Sequence, residues 1–297
     1  MLLRRVVGIA RLGHPFPSLL NALATLTIST LAGAPPIVAV RLAISMLSIQ
    51  VSIGALNDYV DAARDAMEKP GKPIPAGAAS SRAAVWVAVV GATAGIVLTL
   101  PSGGAPTATA AVALLLGYAY DLRLSRTPWS WLPLALALPL VPVHAWLGAS
   151  GQLPPSFMAL YPAAVAAGGA LALANGLVDL ERDARSERPT AAVALGASRA
   201  WAIHLVLVAV LATLSVALAP LGIWDRAGAQ GTAIAASALR SIPALAVGLG
   251  LVALGLGALA LRAHEPAVRE RGWELEAVGV AVVGVGWLAG VATTTGA

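Results

Sequence analysis

Asn57, Asp61 and Asp65 recur at every fourth residue of the chain. On a helix that spacing puts all three on one face, about 6 Å apart along the axis. Like charges one turn apart repel and weaken the helix that carries them. The pattern therefore calls for a cation, and hard oxygen ligands of this type suit Mg²⁺ or Ca²⁺. Asn175, Asp179 and Asp183 repeat the same spacing further along. The flanks repeat too: Asp65-Ala66 answers Asp183-Ala184, Ser81-Arg82-Ala83 answers Ser198-Arg199-Ala200, and Trp86 answers Trp201. This reads as an internal duplication with one acidic face in each half. Of the fourteen acids, Asp58, Asp61, Asp65, Glu68, Asp179, Glu181, Asp183 and Glu187 all lie in the two copies.

Cations follow or interleave these acids: Arg64, Lys69, Lys72, Arg182, Arg185 and Arg188. Carboxylates that bind a divalent ion beside fixed positive charge suit a ligand with several negative oxygens, and diphosphate is the obvious one. Magnesium binds through one or two carboxylates plus substrate phosphate oxygens and water, and Lys and Arg complete such a clamp. The prolines around Lys69 and Lys72 hold that stretch extended and ordered.

The elements that carry these residues are membrane spans. The chain is 58% hydrophobic and 11% charged, far from a soluble domain. It has no cysteine, which excludes disulfides, thiol chemistry and Cys-based zinc sites. Its pI near 10.2 does not point to nucleic acid, because the charge lies in short runs between apolar segments and aromatic residues are sparse. Segments of about 17–25 apolar residues are span candidates. Nine are read, at about 17–33, 37–56, 83–100, 105–120, 131–148, 157–178, 200–221, 232–261 and 275–292. With that topology every Lys and Arg except Arg41, Arg226 and Arg240 falls on the side of the N-terminus. The positive-inside rule then makes that side cytoplasmic and puts the C-terminus opposite. Both acidic faces end spans four crossings apart, so the repeats run parallel and their carboxylates can meet in one cavity at the cytoplasmic boundary. Ionisable groups near membrane depth mark a functional site.

The stretch N-D-x-x-D-x-x-x-D followed by K-P-x-K-P-I-P-A-G resembles the first aspartate-rich motif of the UbiA superfamily of intramembrane prenyltransferases. Asp179-Leu180-Glu181-Arg182-Asp183 resembles the second motif, with Arg188 and Thr190 where a basic residue and a hydroxyl commonly follow. Arg11-Leu12-Gly13-His14-Pro15 resembles the R-x-x-x-P entry to the first helix, with Asn21 one to two turns on. Gly117 to Arg126 resembles the tyrosine and basic segment of a later cytoplasmic loop. Two positions depart: Ser125 stands where many relatives carry Lys, and Glu187 where a Gly is common. The resemblance implies an all-α integral membrane protein, a single domain over 1–297 with nine transmembrane helices around a cavity. The first repeat covers about 17–120, the second about 131–221, and the last two helices about 232–292.

The resemblance also implies an activity. An allylic prenyl diphosphate would bind through two Mg²⁺ ions, one held by Asp61 and Asp65, the other by Asp179 and Asp183, with Asn57 and Asn175 assisting. Lys69, Lys72, Arg126 and Arg188, with Arg64 nearby, would neutralise the departing diphosphate. Arg11, Asn21, Tyr118 and Tyr120 would line the acceptor or carbocation region, the tyrosines by cation–π contact. The short Asp65-to-Lys72 spacing tilts the acceptor towards a lipid-like molecule over an aromatic one. A terpene cyclase of the same superfamily and a secondary transporter are the other classes considered. The four histidines have no ligand spacing and are expected to be incidental. Trp129, Trp131, Trp146, Trp224 and Trp273 fit interfacial belts, Arg41 and Asp225 surface roles on the far side, and the Gly248-x-Gly250 and Gly255-x-Gly257 pairs close helix packing.

Overall fold

A computed structural model describes residues 2–217 and 233–295. Trp224, Asp225 and Arg226, and the side chain of Arg240, lie outside the described residues. The described chain is helical throughout. Helix α1 (Leu2–Leu12) precedes α2 (Pro15–Leu31), which opens on prolines that fix the helical φ and need no amide partner at that position. Helix α3 (Pro36–Glu68) has 33 residues and so spans about 50 Å, against a hydrocarbon core of about 30 Å. The surplus carries Asn57 to Asp65 past the apolar slab without interrupting the helix. Its sequence-expected end at 56 was short because the polar motif stops the hydropathy signal but not the backbone.

Ser80 caps α4 (Ser81–Thr99) by accepting the Ala83 amide at 3.1 Å. Helix α5 (Gly104–Leu122) follows after a left-handed turn at Gly103, where φ is 105°. The expected fifth span is broken into α6 (Leu132–Ala137) and α7 (Leu140–Ser150) at Pro139, which has no amide to donate. Then come α8 (Ser156–Val178), the short α9 (Leu180–Arg185) and α10 (Ala191–Leu195), and the long α11 (Ala197–Ala217), α12 (Ala233–Ala260) and α13 (Pro266–Thr295).

Seven stretches of the described chain are helical, long and apolar enough to cross a membrane: α3, α4, α6 with α7, α8, α11, α12 and α13. The other two expected spans form α2 and α5, of 17 and 19 residues, which are helical but not among the seven. Small residues let the helices close up. A Cβ on Gly250 would fall 2.7 Å from the Gly279 oxygen, and one on Gly257 2.6 Å from the Gly272 oxygen. Their partners in the glycine pairs, Gly248 and Gly255, face open space. Polar side chains are satisfied across helices: Ser45 donates to the Gly95 carbonyl, and the Trp287 indole to the Ser215 carbonyl. Fully buried His204 on α11 meets fully buried Glu276 on α13 at 2.9 Å, so this histidine is not incidental.

Candidate active site

The last turns of α3 turn Asp58, Asp61 and Asp65 inward, Asp65 with no exposed surface at all. A buried carboxylate is costly unless it is paired, and here each has a cation. Lys72 donates to Asp58 Oδ1 at 2.8 Å and stands 3.0 Å from Asp65 Oδ2. Arg64 donates to Asp61 at 2.6 Å, and Arg126 reaches the other Asp61 oxygen at 3.3 Å. Burial works against the Lys72 charge, but Asp58 and then Asp65 outweigh it and hold the ammonium above the ordinary lysine range. The backbone turns of the loop carrying Lys72 help to aim it: Ala76, Gly77, Ala78 and Ala79 all donate back into the segment 72–74.

The second motif sits where α8 gives way to α9. Asp179 is the hinge residue, at φ −97° and ψ 7°. The Val178 carbonyl, which Arg182 would use in a continuous helix, instead accepts from Arg269 at 3.4 Å, and the Arg182 amide goes to Asp179 O at 3.0 Å. A side chain inserted into the amide ladder is a sufficient cause for a kink. Arg269 at the start of α13 also clamps both Glu181 oxygens, at 2.7 and 2.5 Å, and thereby holds Glu181 below the usual carboxylate range. Asp183 is buried, and burial, then the charge of Asp179, pushes its carboxyl up to about 6. Arg188 answers it at 3.4 Å and also donates to the backbone and hydroxyl of Ser125.

The two motifs touch. Lys69 from the first donates to Asp179 of the second at 2.8 Å, and Ser186 of the second donates to Glu68 of the first. Arg182 also pairs with Asp179. Beside this contact lies a cleft of ≈ 960 Å³ lined by Arg64, Arg126, Arg182, Arg185 and Arg188. Deeper in the bundle a separate apolar cavity of ≈ 200 Å³ runs between α2, α6, α7, α8, α11 and α13, with Asn21 and Trp273 at one end and Trp287 towards the other.

Among the described residues no three carboxylates or imidazoles converge into a closed metal cage. The donors nonetheless suit a hard cation that keeps most of its shell for ligand and water. Both Asp65 oxygens, Asp58 Oδ2 and Asp121 Oδ2 are buried without a well-directed hydrogen bond, and all are carboxylate oxygens. The motif aspartates, Arg64, Lys69, Lys72, Arg126 and Arg188 are thus brought together. Asn57 donates to Asp121 Oδ1 at 3.1 Å, and Asn175 is half-buried at the end of α8. Tyr120 stands in the field of Asp121, Asp183, Asp61 and Asp179. Tyr118 lies two residues earlier in α5, its hydroxyl 2.8 Å from that of Ser52. Arg11 reaches the back of the first-motif loop, donating to the Gly71 carbonyl at 3.3 Å.

Sequence reasoning missed Asp121, which ends an apolar helix as a lone acid, and His14, read as incidental. His14 is 3.0 Å from Asp58 Oδ1. It occupies the left-handed region at φ 46°, an uncommon conformation for a side-chain-bearing residue. The departure at Glu187 has a backbone meaning: its φ is 52°, a conformation that glycine takes freely.

Comparison with known proteins identifies the fold and the family. Digeranylgeranylglyceryl phosphate synthase from Methanopyrus kandleri is 30% identical over 206 residues, 69% of this chain and 75% of that protein. The fold is shared with a UbiA homologue from Archaeoglobus fulgidus bound to GPP and Mg²⁺, with TM-score 0.69 and 16% identity over 95% of this chain and 99% of that one. It is shared with a UbiA homologue from Aeropyrum pernix K1, with TM-score 0.66 and 17% identity over 91% and 96%. A solved digeranylgeranylglyceryl phosphate synthase matches at TM-score 0.65 and 15% identity over 97% and 98%. The UbiA prenyltransferase family model matches residues 18–271. With the family matched over most of its length, the chain belongs to the UbiA prenyltransferases.

Proposed function

We propose that this prenyltransferase moves a polyprenyl group from an allylic prenyl diphosphate to a lipid-like acceptor with a phosphate head, in a Mg²⁺-dependent reaction at the cytoplasmic face. One observation carries the reading. Two acidic motifs meet through Lys69 and Asp179 beside a cleft walled by five arginines, and opposite charges arranged this way suit Mg²⁺ and phosphate oxygens together. The name of the Methanopyrus kandleri relative supports a glyceryl phosphate acceptor over an aromatic one. The architecture that goes with this reading is one membrane domain of nine spans, built of two parallel repeats, with the N-terminus cytoplasmic and the C-terminus opposite.

In this reading Asp61 and Asp65 hold one ion and Asp179 and Asp183 another, with Asn57 and Asn175 assisting. Bound Mg²⁺ supplies Lewis acidity to the leaving diphosphate. Lys69, Lys72, Arg126 and Arg188 exchange their carboxylate partners for phosphate oxygens as charge builds there. The bond between the allylic carbon and the diphosphate oxygen breaks with its electron pair on oxygen. The acceptor oxygen then bonds to the allylic carbon and loses its proton. In the same reading Tyr120 would stabilise the transient cation by cation–π contact, and the apolar surroundings would keep water from it.

The test is diphosphate release by purified protein from geranyl, farnesyl and geranylgeranyl diphosphates, with and without Mg²⁺. Glyceryl phosphate lipids and aromatic acceptors are compared, beside Asp61→Ala. Mg²⁺-dependent release that Asp61→Ala abolishes and a glyceryl phosphate lipid speeds is the expected result. A faster aromatic acceptor overturns the lipid assignment. A cyclised hydrocarbon formed without acceptor would make the protein a cyclase. Tight donor binding with no release would make it a binding or transport protein.

A further inference from the structure

Helix α1 turns its apolar side away from the protein. It meets the rest of the chain through Gly8 and Leu12, both buried. Gly8 is required there, since a Cβ would lie 2.5 Å from the Ala78 oxygen. At 100° per residue, Leu3, Val6, Val7 and Ala10 form a stripe on the opposite side. All four are exposed, Leu3 by 76%. A stripe of this kind on a short basic helix has two ordinary fates, a protein partner or a bilayer surface. Position and charge decide between them. Only Gly13 and the left-handed His14 separate α1 from α2, and His14 meets Asp58, so the helix lies at the same end of the bundle as the aspartate motifs. Arg4 and Arg11 flank the stripe on one side, while Arg5 projects next to Leu12 and is exposed. Apolar stripe below, arginines beside it and spans adjoining match the headgroup region of the membrane those spans cross.

The protein-facing side of α1 is joined to the loop of the first motif. Arg4 donates to the Ala76 carbonyl at 2.6 Å and Arg11 to the Gly71 carbonyl at 3.3 Å. His14, at the corner, holds Asp58, which in turn holds Lys72. We propose that α1 is an interfacial helix that seats Leu3, Val6, Val7 and Ala10 among the lipid headgroups, with Arg4 and Arg11 beside them, and so latches the 69–79 loop over the aspartates. The partner is the bilayer surface itself. Lipid contact and the order of the loop that presents Lys69 and Lys72 are then one coupled equilibrium.

The chain has no cysteine, so single cysteines can be placed without background. Leu3→Cys, Val7→Cys and Arg185→Cys, each carrying a nitroxide, would be reconstituted as full chains in phosphatidylcholine–phosphatidylglycerol nanodiscs. Leu3→Cys and Val7→Cys are expected to be reached by oxygen and shielded from an aqueous nickel complex, with Arg185→Cys the reverse. Labels at 3 and 7 as open to nickel as the label at 185 would overturn the interfacial assignment. Hydrogen exchange tests the latch. In Leu3→Asp/Val7→Asp, and separately in Arg4→Ala/Arg11→Ala, the amides of Ala76 to Ala79 are expected to exchange at least tenfold faster while those of α4 stay protected. Unchanged exchange at Ala76 to Ala79 in both variants would overturn the coupling. Neither readout uses substrate or turnover, so failure here is distinct from failure of the proposed reaction.

Discussion

The two aspartate motifs share one spacing and differ in backbone. The first rides a continuous helix that turns its acidic face inward, and its Asp65 is entirely buried against Lys72. The second straddles a kink, and the side chain of its hinge residue Asp179 is 26% exposed. Cations bracket the first motif on both sides of the face. In the second, Asp183 is pushed up to about 6 because burial and Asp179 outweigh the cations facing it. Equal spacing therefore does not mean equal sites. One half is set by the helix that carries it, and the other by a partner from α13.

The largest expected effect tests the shared part of this comparison. Asp65→Asn and Asp183→Asn each remove a charge that the proposed metal clamp needs, and loss of one preorganised electrostatic group costs about 10²–10³ in rate. Diphosphate release should fall at least that far in both. Asp65→Asn should also lower the unfolding midpoint in detergent, because Lys72 loses a buried partner, whereas Asp183→Asn relieves an unfavourable charge and should not. Wild-type turnover in Asp65→Asn would remove the first motif from the catalytic machinery. Equal midpoints in the two variants would erase the difference between the halves.

Arg269→Ala separates them more finely. It frees the Val178 carbonyl and Glu181 and touches nothing in the first motif. With its cause removed, the kink loses definition and Asp179 and Asp183 lose their fixed separation. Small misplacement of positioned groups costs up to about 10² in rate, and a loss of about tenfold in kcat/KM for the donor is expected, with weaker Mg²⁺ dependence. Unchanged kinetics would mean that the kink is intrinsic to α8 and α9.

Arg269 also marks where sequence reading stopped. The aspartate pairs, their cations and the apolar spans are local patterns, and periodicity within one helix exposes them. The kink is not local: it depends on an arginine 91 positions from Val178. The same holds for His14 and Asp58, 44 positions apart, and for His204 and Glu276, 72 apart. A lone histidine beside an apolar run gives no sign of its partner. The division of the fifth span was marked by Pro139 and Pro142, but hydropathy runs through both, so a proline break looked like one helix. Lys69 was legible as a cation beside the first motif, yet nothing near it in sequence pointed to Asp179 as its partner.

The smallest effect bears on the loops. After the first motif the left-handed turn is made by Gly77 at φ 67°, and after the second by Glu187 at φ 52°. A side-chain-bearing residue pays about 1–2 kcal/mol in that region, while glycine gives back about 0.5–1 kcal/mol of chain entropy on folding. Glu187→Gly should therefore stabilise by about 0.5–1 kcal/mol, a rise of about 1–3 °C in unfolding midpoint for a chain of this size. The control is Glu187→Ala, which removes the same charge from the arginine cleft but keeps the backbone cost. If strain is the cause, glycine gains and alanine does not. If both gain alike, the benefit comes from relieving Glu187 as a charge among arginines, and the two motif loops differ in electrostatics rather than in backbone.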